Sequence, residues 1–479
     1  MSYSNSIFGG ASDLYKNRYE TQYEQLEYHK DDYVIYKDVV NRQWTYQNTI
    51  GGSIFGSVPA NSTSGITGAV QRLQFNIASG STADPSSFRV IFQAYVGDNT
   101  GAGSAGTTSL CNYASSVFNQ LNVRMQGASS GTIEQNIYYN YFCSMLYRFY
   151  STNYSTQILG SIEGYNTTNA NRAWNGRQMC VPINAGFFQN LRKYIPLFAL
   201  PLLQIEFVME SSLNATCQKT IGVGTGVAPY YYILNPRLIY SSVNVTSSFI
   251  DETREKISVA QTENMPIRLD YTAWVPLSAQ IPSGSTGSYT AILSGNLVGA
   301  RKILWGLTTP SIGGSGGTGA NGTAANLGAD VLNTFYVGGL QNYRMRVNGR
   351  YFPDLPVEVS QGGTSSTTAL SVQNAMSYYF NLYASGQHNS YWTDVNMGWL
   401  ATDTFTSGID QNPSAVYMLS TEFDDAGLPE IISSANSGPF NLELNFMATT
   451  AAVYNLLAFV NNHRSIHLFE GGRVTIVEN

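Results

Sequence analysis

From about residue 70 onward, apolar and polar residues of this chain alternate with a period of two. In Arg72-Leu73-Gln74-Phe75-Asn76-Ile77, the apolar Leu73, Phe75 and Ile77 share one side. In Leu203-Gln204-Ile205-Glu206-Phe207, the same rule turns Leu203, Ile205 and Phe207 inward and Gln204 and Glu206 outward. Successive side chains of a pleated ribbon point to opposite faces, so this period predicts half-buried strands in antiparallel sheets. Stretches rich in Gly, Ser and Thr at residues 97–108, 221–227, 283–288 and 311–330 separate the strands. They read as long loops at the ends of a sandwich. The N-terminal region follows a different period. Tyr15, Tyr19, Tyr23 and Leu26 recur at helical spacing within the strongly charged residues 11–40, which predicts a short helical arm outside the main fold.

The alternating pattern also repeats itself. Leu121-Asn122-Val123-Arg124-Met125-Gln126-Gly127 matches Tyr343-Arg344-Met345-Arg346-Val347-Asn348-Gly349, with Arg124 and Arg346 in the same place and an amide-Gly turn signal closing both. A helix is predicted after each, over residues 134–142 and 372–380; both open on Gln-Asn and close on Tyr-Phe. Further on, Met179 with Ala185-Gly186 echoes Met418 with Ala426-Gly427. Gln204-Ile205-Glu206-Phe207 echoes Glu443-Leu444-Asn445-Phe446, and Arg237-Leu238-Ile239 echoes Arg473-Val474-Thr475-Ile476. Five matches in one order predict two copies of a module of about 200 residues, room for an eight-stranded sandwich. The expected organisation is an N-terminal arm over residues 1–45, a first sandwich over 46–250 and a second over 251–479.

Composition sharpens this. Charged residues make up 12% of the chain, against roughly 25% in ordinary soluble domains, while Tyr (33) and Phe (22) are abundant. A surface depleted of charge and rich in aromatic residues suits extensive protein contact, although a monomer with a neutral polar coat has the same composition. The net charge of -6 and the absence of a Lys/Arg run argue against non-specific attraction for nucleic acid. Cys111, Cys143, Cys180 and Cys217 are widely spaced with no CxxC pair, and read as reduced, buried thiols, with two disulfides as the other reading. The first ten residues lack the pattern of a secretory signal, and no apolar run approaches the roughly 20 residues of a membrane span.

Candidate chemistry is sparse. Gly101 to Gly106 matches GxGxxG, but no helix opens at the third glycine and no acidic residue follows at the required distance, so a flexible loop is expected. Gly313 to Gly317 matches GxSxG without the strand and helix that a nucleophile elbow needs. His463 and His467 are four apart with Glu470 nearby, yet Arg464 stands where a zinc protease places its glutamate, so these read as surface or interface histidines. Asp31-Asp32, Asp251-Glu252 and Asp424-Asp425 lack a calcium-loop pattern and read as solvated or connector charges. The aromatic stretch Tyr138 to Tyr154 has one basic residue, Arg148, and reads as packing rather than a base-stacking platform. No catalytic, cofactor-binding or metal-binding residue is nominated, no cofactor is expected, and the chain is not expected to be an enzyme.

Several segments resemble one family. Ile195-Pro196-Leu197-Phe198-Ala199-Leu200-Pro201-Leu202, with the strand that follows, resembles the end of the first jelly roll in double jelly-roll major capsid proteins of eukaryotic icosahedral DNA viruses. Phe249-Ile250-Asp251-Glu252-Thr253-Arg254-Glu255-Lys256 resembles the connector between their two jelly rolls, although it carries fewer arginines than in the large viruses. Gly438 to Phe446, Tyr454, Arg464-Ser465-Ile466 and Gly471-Gly472 are similar to the closing strands of the family. The nearest likeness is to polinton-like viruses and virophages. The resemblance implies an all-β fold of two tandem eight-stranded antiparallel jelly-roll sandwiches with short helices and long loops. It implies a major capsid protein in the virion, made inside the host cell, whose homotrimers act as pseudo-hexamers tiling a shell. Its partners would be itself, neighbouring capsomers, and penton and minor capsid proteins, with no sequence-specific nucleic-acid contact and no transmembrane segment. The competing readings are a carbohydrate- or host-surface-binding β-sandwich, adhesin- or lectin-like, and a β-sandwich glycoside hydrolase.

Overall fold

The computed structural model describes residues 39–58, 66, 69–77, 79–97, 108–110, 114–126, 131–150, 176–191, 194–218, 230–262, 267–294, 300–308, 340–347, 350–358, 417–420, 440–446, 453–469 and 473–478. Outside them lie the predicted arm helix, both glycine-rich motifs, the second predicted helix at 372–380, Asp31-Asp32 and Asp424-Asp425.

The main strands of the first half are β1 (Val39–Asn48), β2 (Arg72–Ile77), β3 (Arg89–Gly97), β4 (Phe118–Gln126), β5 (Gly131–Asn136), β6 (Arg177–Pro182), β7 (Leu202–Met209) and β8 (Tyr230–Val245). Those of the second half are β9 (Ile267–Ile281), β10 (Gly287–Leu293), β11 (Ala300–Thr308), β12 (Leu340–Val347), β13 (Arg350–Glu358), β14 (Tyr417–Ser420), β15 (Phe440–Phe446) and β16 (Tyr454–Phe469). Hydrogen-bonded neighbours run β1-β8-β3-β6 and β2-β7-β4-β5 in the first sandwich. In the second they run β9-β16-β11-β14 and β10-β15-β12-β13. Within each half the first strand pairs the eighth, the second the seventh, the third the sixth and the fourth the fifth. That is the order produced when one long hairpin rolls up on itself.

Side-chain alternation builds the two cores. Leu73, Phe75, Ile77, Leu203, Ile205 and Phe207 are all buried, as their period demands. Phe118 links the two sheets of the first sandwich, edge-on to Phe92 at 5.7 Å and tilted against Phe207 at 4.5 Å. In the second, Trp305 packs edge-on to Tyr343 at 4.8 Å among Leu442, Leu444, Leu456 and Ala458.

Four expectations need correction. Gln204 and Glu206 do point away from the core, but both are buried. They sit on a central strand whose neighbours roof them: Arg124 donates to Gln204 at 2.6 Å and to Glu206 at 2.5 Å, Asn122 donates to Glu206 at 3.2 Å, and Gln204 donates to Asn76 at 3.0 Å. The helix expected from Glu134 begins only at Tyr139, as α1 (Tyr139–Tyr150), because Glu134 to Asn136 pair with β4 and the Asn136 side chain accepts the Tyr138 N–H at 3.1 Å. The repeat register also moves. Arg124 lies opposite Gln204, whereas Arg346 lies opposite Asn441 and Arg344 opposite Glu443, so the match of Arg124 with Arg346 and the match of Gln204 with Glu443 differ by two residues and do not hold together. A slip of two leaves every side chain on its face, which hides it from a reading by alternation. Finally, Arg237 lies on β8, whose counterpart is β16, whereas Arg473–Glu478 is an extra strand paired to the end of β16. At the front of the chain, β1 begins at Val39, inside the span expected for the arm.

The link between sandwiches is α3 (Ser247–Thr262), preceded in the chain by the short α2 (Gly186–Asn190). Thr246 caps it, its hydroxyl accepting the Phe249 N–H at 3.4 Å. Phe249, Thr253 and Ile257, each four apart, form its buried stripe.

Candidate functional site at the junction of the sandwiches

The densest concentration of unusual chemistry among the described residues lies where the two sandwiches meet. Glu134 on β5 is fully buried there. Its Oε1 accepts the N–H groups of Gly186 and Trp274, both at 3.0 Å, and its Oε2 accepts the Phe187 N–H at 3.0 Å. Gly186 and Phe187 open α2 in the first sandwich; Trp274 belongs to β9 in the second. One carboxyl group therefore joins three backbone segments and both sandwiches. Burial pushes it up to about 7, against the pull of its three N–H donors and of the Arg464 guanidinium. Arg464 itself donates to the Ile133 carbonyl at 3.0 Å, and the Tyr271 hydroxyl donates to the same oxygen at 3.1 Å.

Apolar contact surrounds this polar centre. Phe187 meets Tyr271 edge-on at 5.2 Å. Phe142 of α1 lies 5.0 Å from both Trp274 and Phe459. Gly186 is needed at its position because a Cβ there would stand 1.9 Å from the Thr272 carbonyl oxygen. Backbone meets backbone so closely that no side chain fits between. The apolar cluster that fills the first sandwich continues without a break into Leu269, Tyr271, Trp274, Leu457, Phe459 and Ile466 of the second. On β16, Leu456, Ala458 and Val460 face the second core while Leu457 and Phe459 face the first sandwich, so this strand is buried on both faces.

Residues singled out in the sequence are dispersed by comparison. His463 and His467 both lie on β16, where four residues of strand span roughly 13 Å. His467 Nε2 lies 3.0 Å from Ser465 Oγ, and burial followed by the charge of Arg268 lowers its pKa. Asp251 lies on the exposed side of α3, 3.9 Å from Arg254. Tyr139 and Phe142 of the aromatic stretch are core residues, and Cys143 and Cys180 are not in disulfides. Among the described residues no group of three His, Cys, Asp or Glu side chains could hold a metal ion, and no helix is long and apolar enough to cross a membrane. Sequence reading missed Glu134, placed inside a helix, and Trp274. The legible trace of the junction was the unbroken apolar run Leu456 to Val460, the mark of a strand covered on both faces.

No family model matches the chain, and no curated protein matches its sequence. Solved structures do match in shape. A quasi-atomic model of the PBCV-1 virus capsid superposes with a TM-score of 0.53 at 14% identity, covering 92% of this chain and 97% of that one. The faustovirus major capsid protein gives 0.52 at 11% identity, covering 98% and 100%. The fold is a double jelly roll. PBCV-1 VP54, fitted into a reconstruction of the virophage Sputnik, gives 0.50 at 11% identity over 92% and 97%. At these identities the shared property is the fold alone, matched along nearly the full length of each chain.

Proposed function

We propose that this chain is a major capsid protein, a structural and non-catalytic building block whose homotrimers tile an icosahedral viral shell. The observation that carries the reading is the pairing of two jelly rolls of identical strand order, fixed side by side by an apolar junction. Two similar sandwiches per chain give six around the axis of a trimer, an outline close to a hexagon, and cyclic contacts between copies close without leaving a free end. The structural likeness to capsid proteins supports the same reading. Penton and minor capsid proteins are its further expected partners, and the virion its location. The organisation that fits is an arm, a first jelly roll ending near residue 250, and a second that begins with the α3 connector.

Light scattering and negative-stain microscopy of the purified full chain provide the test. The expected result is a stable particle of three chain masses with a hexagonal outline. A protein that stays monomeric at every concentration, or that shows turnover on a glycan, would remove the reading.

A further inference from the structure

The connector helix α3 presents two sides. Phe249, Thr253 and Ile257 are buried against the fold. Ser247, Ile250, Asp251 and Arg254, spaced three and four apart, share the other side and line an open groove of about 230 Å³. Phe198, in the segment before β7, and Gly80, in the segment after β2, complete the lining. The apolar part of the groove is Ile250 and Phe198, both half-buried. Its polar part is Arg254 and Asp251, 62% and 75% exposed and 3.9 Å apart. An ion pair this wet holds its partners weakly. The first turn of α3 carries no acidic residue, so the partial positive charge at its start has no carboxylate of that turn beside it.

The chain itself delivers an occupant. Strands β1 and β8 are antiparallel, and Val39, the first residue of β1, lies opposite Val245, the last of β8. The chain before Val39 therefore emerges at the end of the sheet where β8 runs into α3, with Ser247 two residues beyond Val245. From strand spacing and helix rise, the whole groove lies within roughly 20 Å of Val39, and seven extended residues span up to about 25 Å. The residues that precede Val39, outside the described part, are Asp31-Asp32-Tyr33-Val34-Ile35-Tyr36-Lys37-Asp38. Their chemistry follows the order of the groove. Asp38 comes first from β1, where α3 begins. A run of aromatic and aliphatic residues follows, where Ile250 and Phe198 lie. The acidic pair Asp31-Asp32 comes last, where Arg254 stands one turn farther along the helix.

We propose that residues 31–38 lie in this groove of their own chain, with Asp38 beside the start of α3, the apolar run on Ile250 and Phe198, and Asp31-Asp32 at Arg254. The groove thereby fastens the front of the chain to the connector that joins the two jelly rolls. The occupant is the chain's own segment because it is tethered at the mouth of the groove, where a short link gives an effective concentration on the order of millimolar. The proposal concerns a single chain and holds or fails whatever the chain assembles into.

Hydrogen exchange of the full-length protein provides the test. Amides 32–38 should exchange at least about tenfold more slowly in the wild type than in Ile250→Glu, while β7 exchanges equally in both. Arg254→Glu should speed the same amides, and adding Asp31→Lys and Asp32→Lys to it should restore the slow rate. Equal exchange of these amides in the wild type and in Ile250→Glu would overturn the proposal. A photo-reactive residue in place of Ile250, in an equal mixture of isotopically heavy and light chains folded together, decides the matter if Ile250→Glu misfolds. Cross-links to residues 31–38 that join only chains of like isotope support the proposal. Cross-links of mixed isotope would give the groove to another copy, and cross-links elsewhere would give it to a different segment; either result overturns it.

Discussion

Glu134 shows how one residue can set the behaviour of a junction. A buried ionised carboxylate is costly unless its oxygens are matched by donors, and here three backbone N–H groups and a nearby guanidinium meet it. Burial still prevails, holding the proton to about pH 7, whereas an unfolded chain releases it near the ordinary carboxyl value of about 4.3. Between those limits the folded protein binds more protons than the unfolded one. Stability from this group is therefore complete below the unfolded value and is lost as pH rises through the folded one. At about 1.4 kcal/mol per pKa unit, the predicted loss between pH 4 and pH 8 is roughly 3 kcal/mol. Urea unfolding midpoints across that range should fall in the wild type and lie flatter in Glu134→Gln. Equal slopes for the two proteins would show that another group titrates.

Among the elements, β16 carries the most decisive pattern. Its even- and odd-numbered residues between Leu456 and Val460 serve two different bodies, the second core and the first jelly roll. Phe459→Ala is predicted to cost about 3–5 kcal/mol, since a large ring leaves a cavity that backbone on both sides holds open. The loss should fall on the contact between jelly rolls. Hydrogen exchange in the variant should rise first in α1 and β9, while β12 and β15, which line the second core, stay protected. Faster exchange in β12 and β15 with α1 unchanged would place Phe459 in the wrong body. The polar outer ladder of β7 makes a related point. Arg124, Gln204, Glu206 and Asn76 shield one another, so a face that alternation marks as solvent is covered by its own neighbours.

For the whole molecule, the two jelly rolls repeat one plan but do not form two independent cores. The first apolar cluster runs across the junction into β9, β11 and β16, and only the remainder of the second jelly roll has a core of its own. A chain ending at residue 262 is therefore predicted to expose Phe142, Phe187 and Gly186 and to self-associate or bind a hydrophobic dye. Size-exclusion chromatography and dye fluorescence would detect this. A truncated chain that is monomeric, cooperative in melting and dye-free would mean that the junction contributes little to the first fold.

By itself the sequence determined the strand faces and the doubling of the plan. Period-two alternation is a local property of the pleat, and Arg124 and Arg346, or Met179 and Met418, fall on strands of equal rank in the two halves. Register lay beyond it, since a slip of two preserves alternation, and so did the start of α1, where Glu134 is held in a strand by partners that are distant in sequence. Only the tertiary structure decided which outward faces are covered. Trp274 and Tyr46 are both aromatic residues on the first strand of a jelly roll, yet one is buried and the other lies in water. Burial depends on what packs from outside, and nothing in the local spacing of either strand encodes that neighbour.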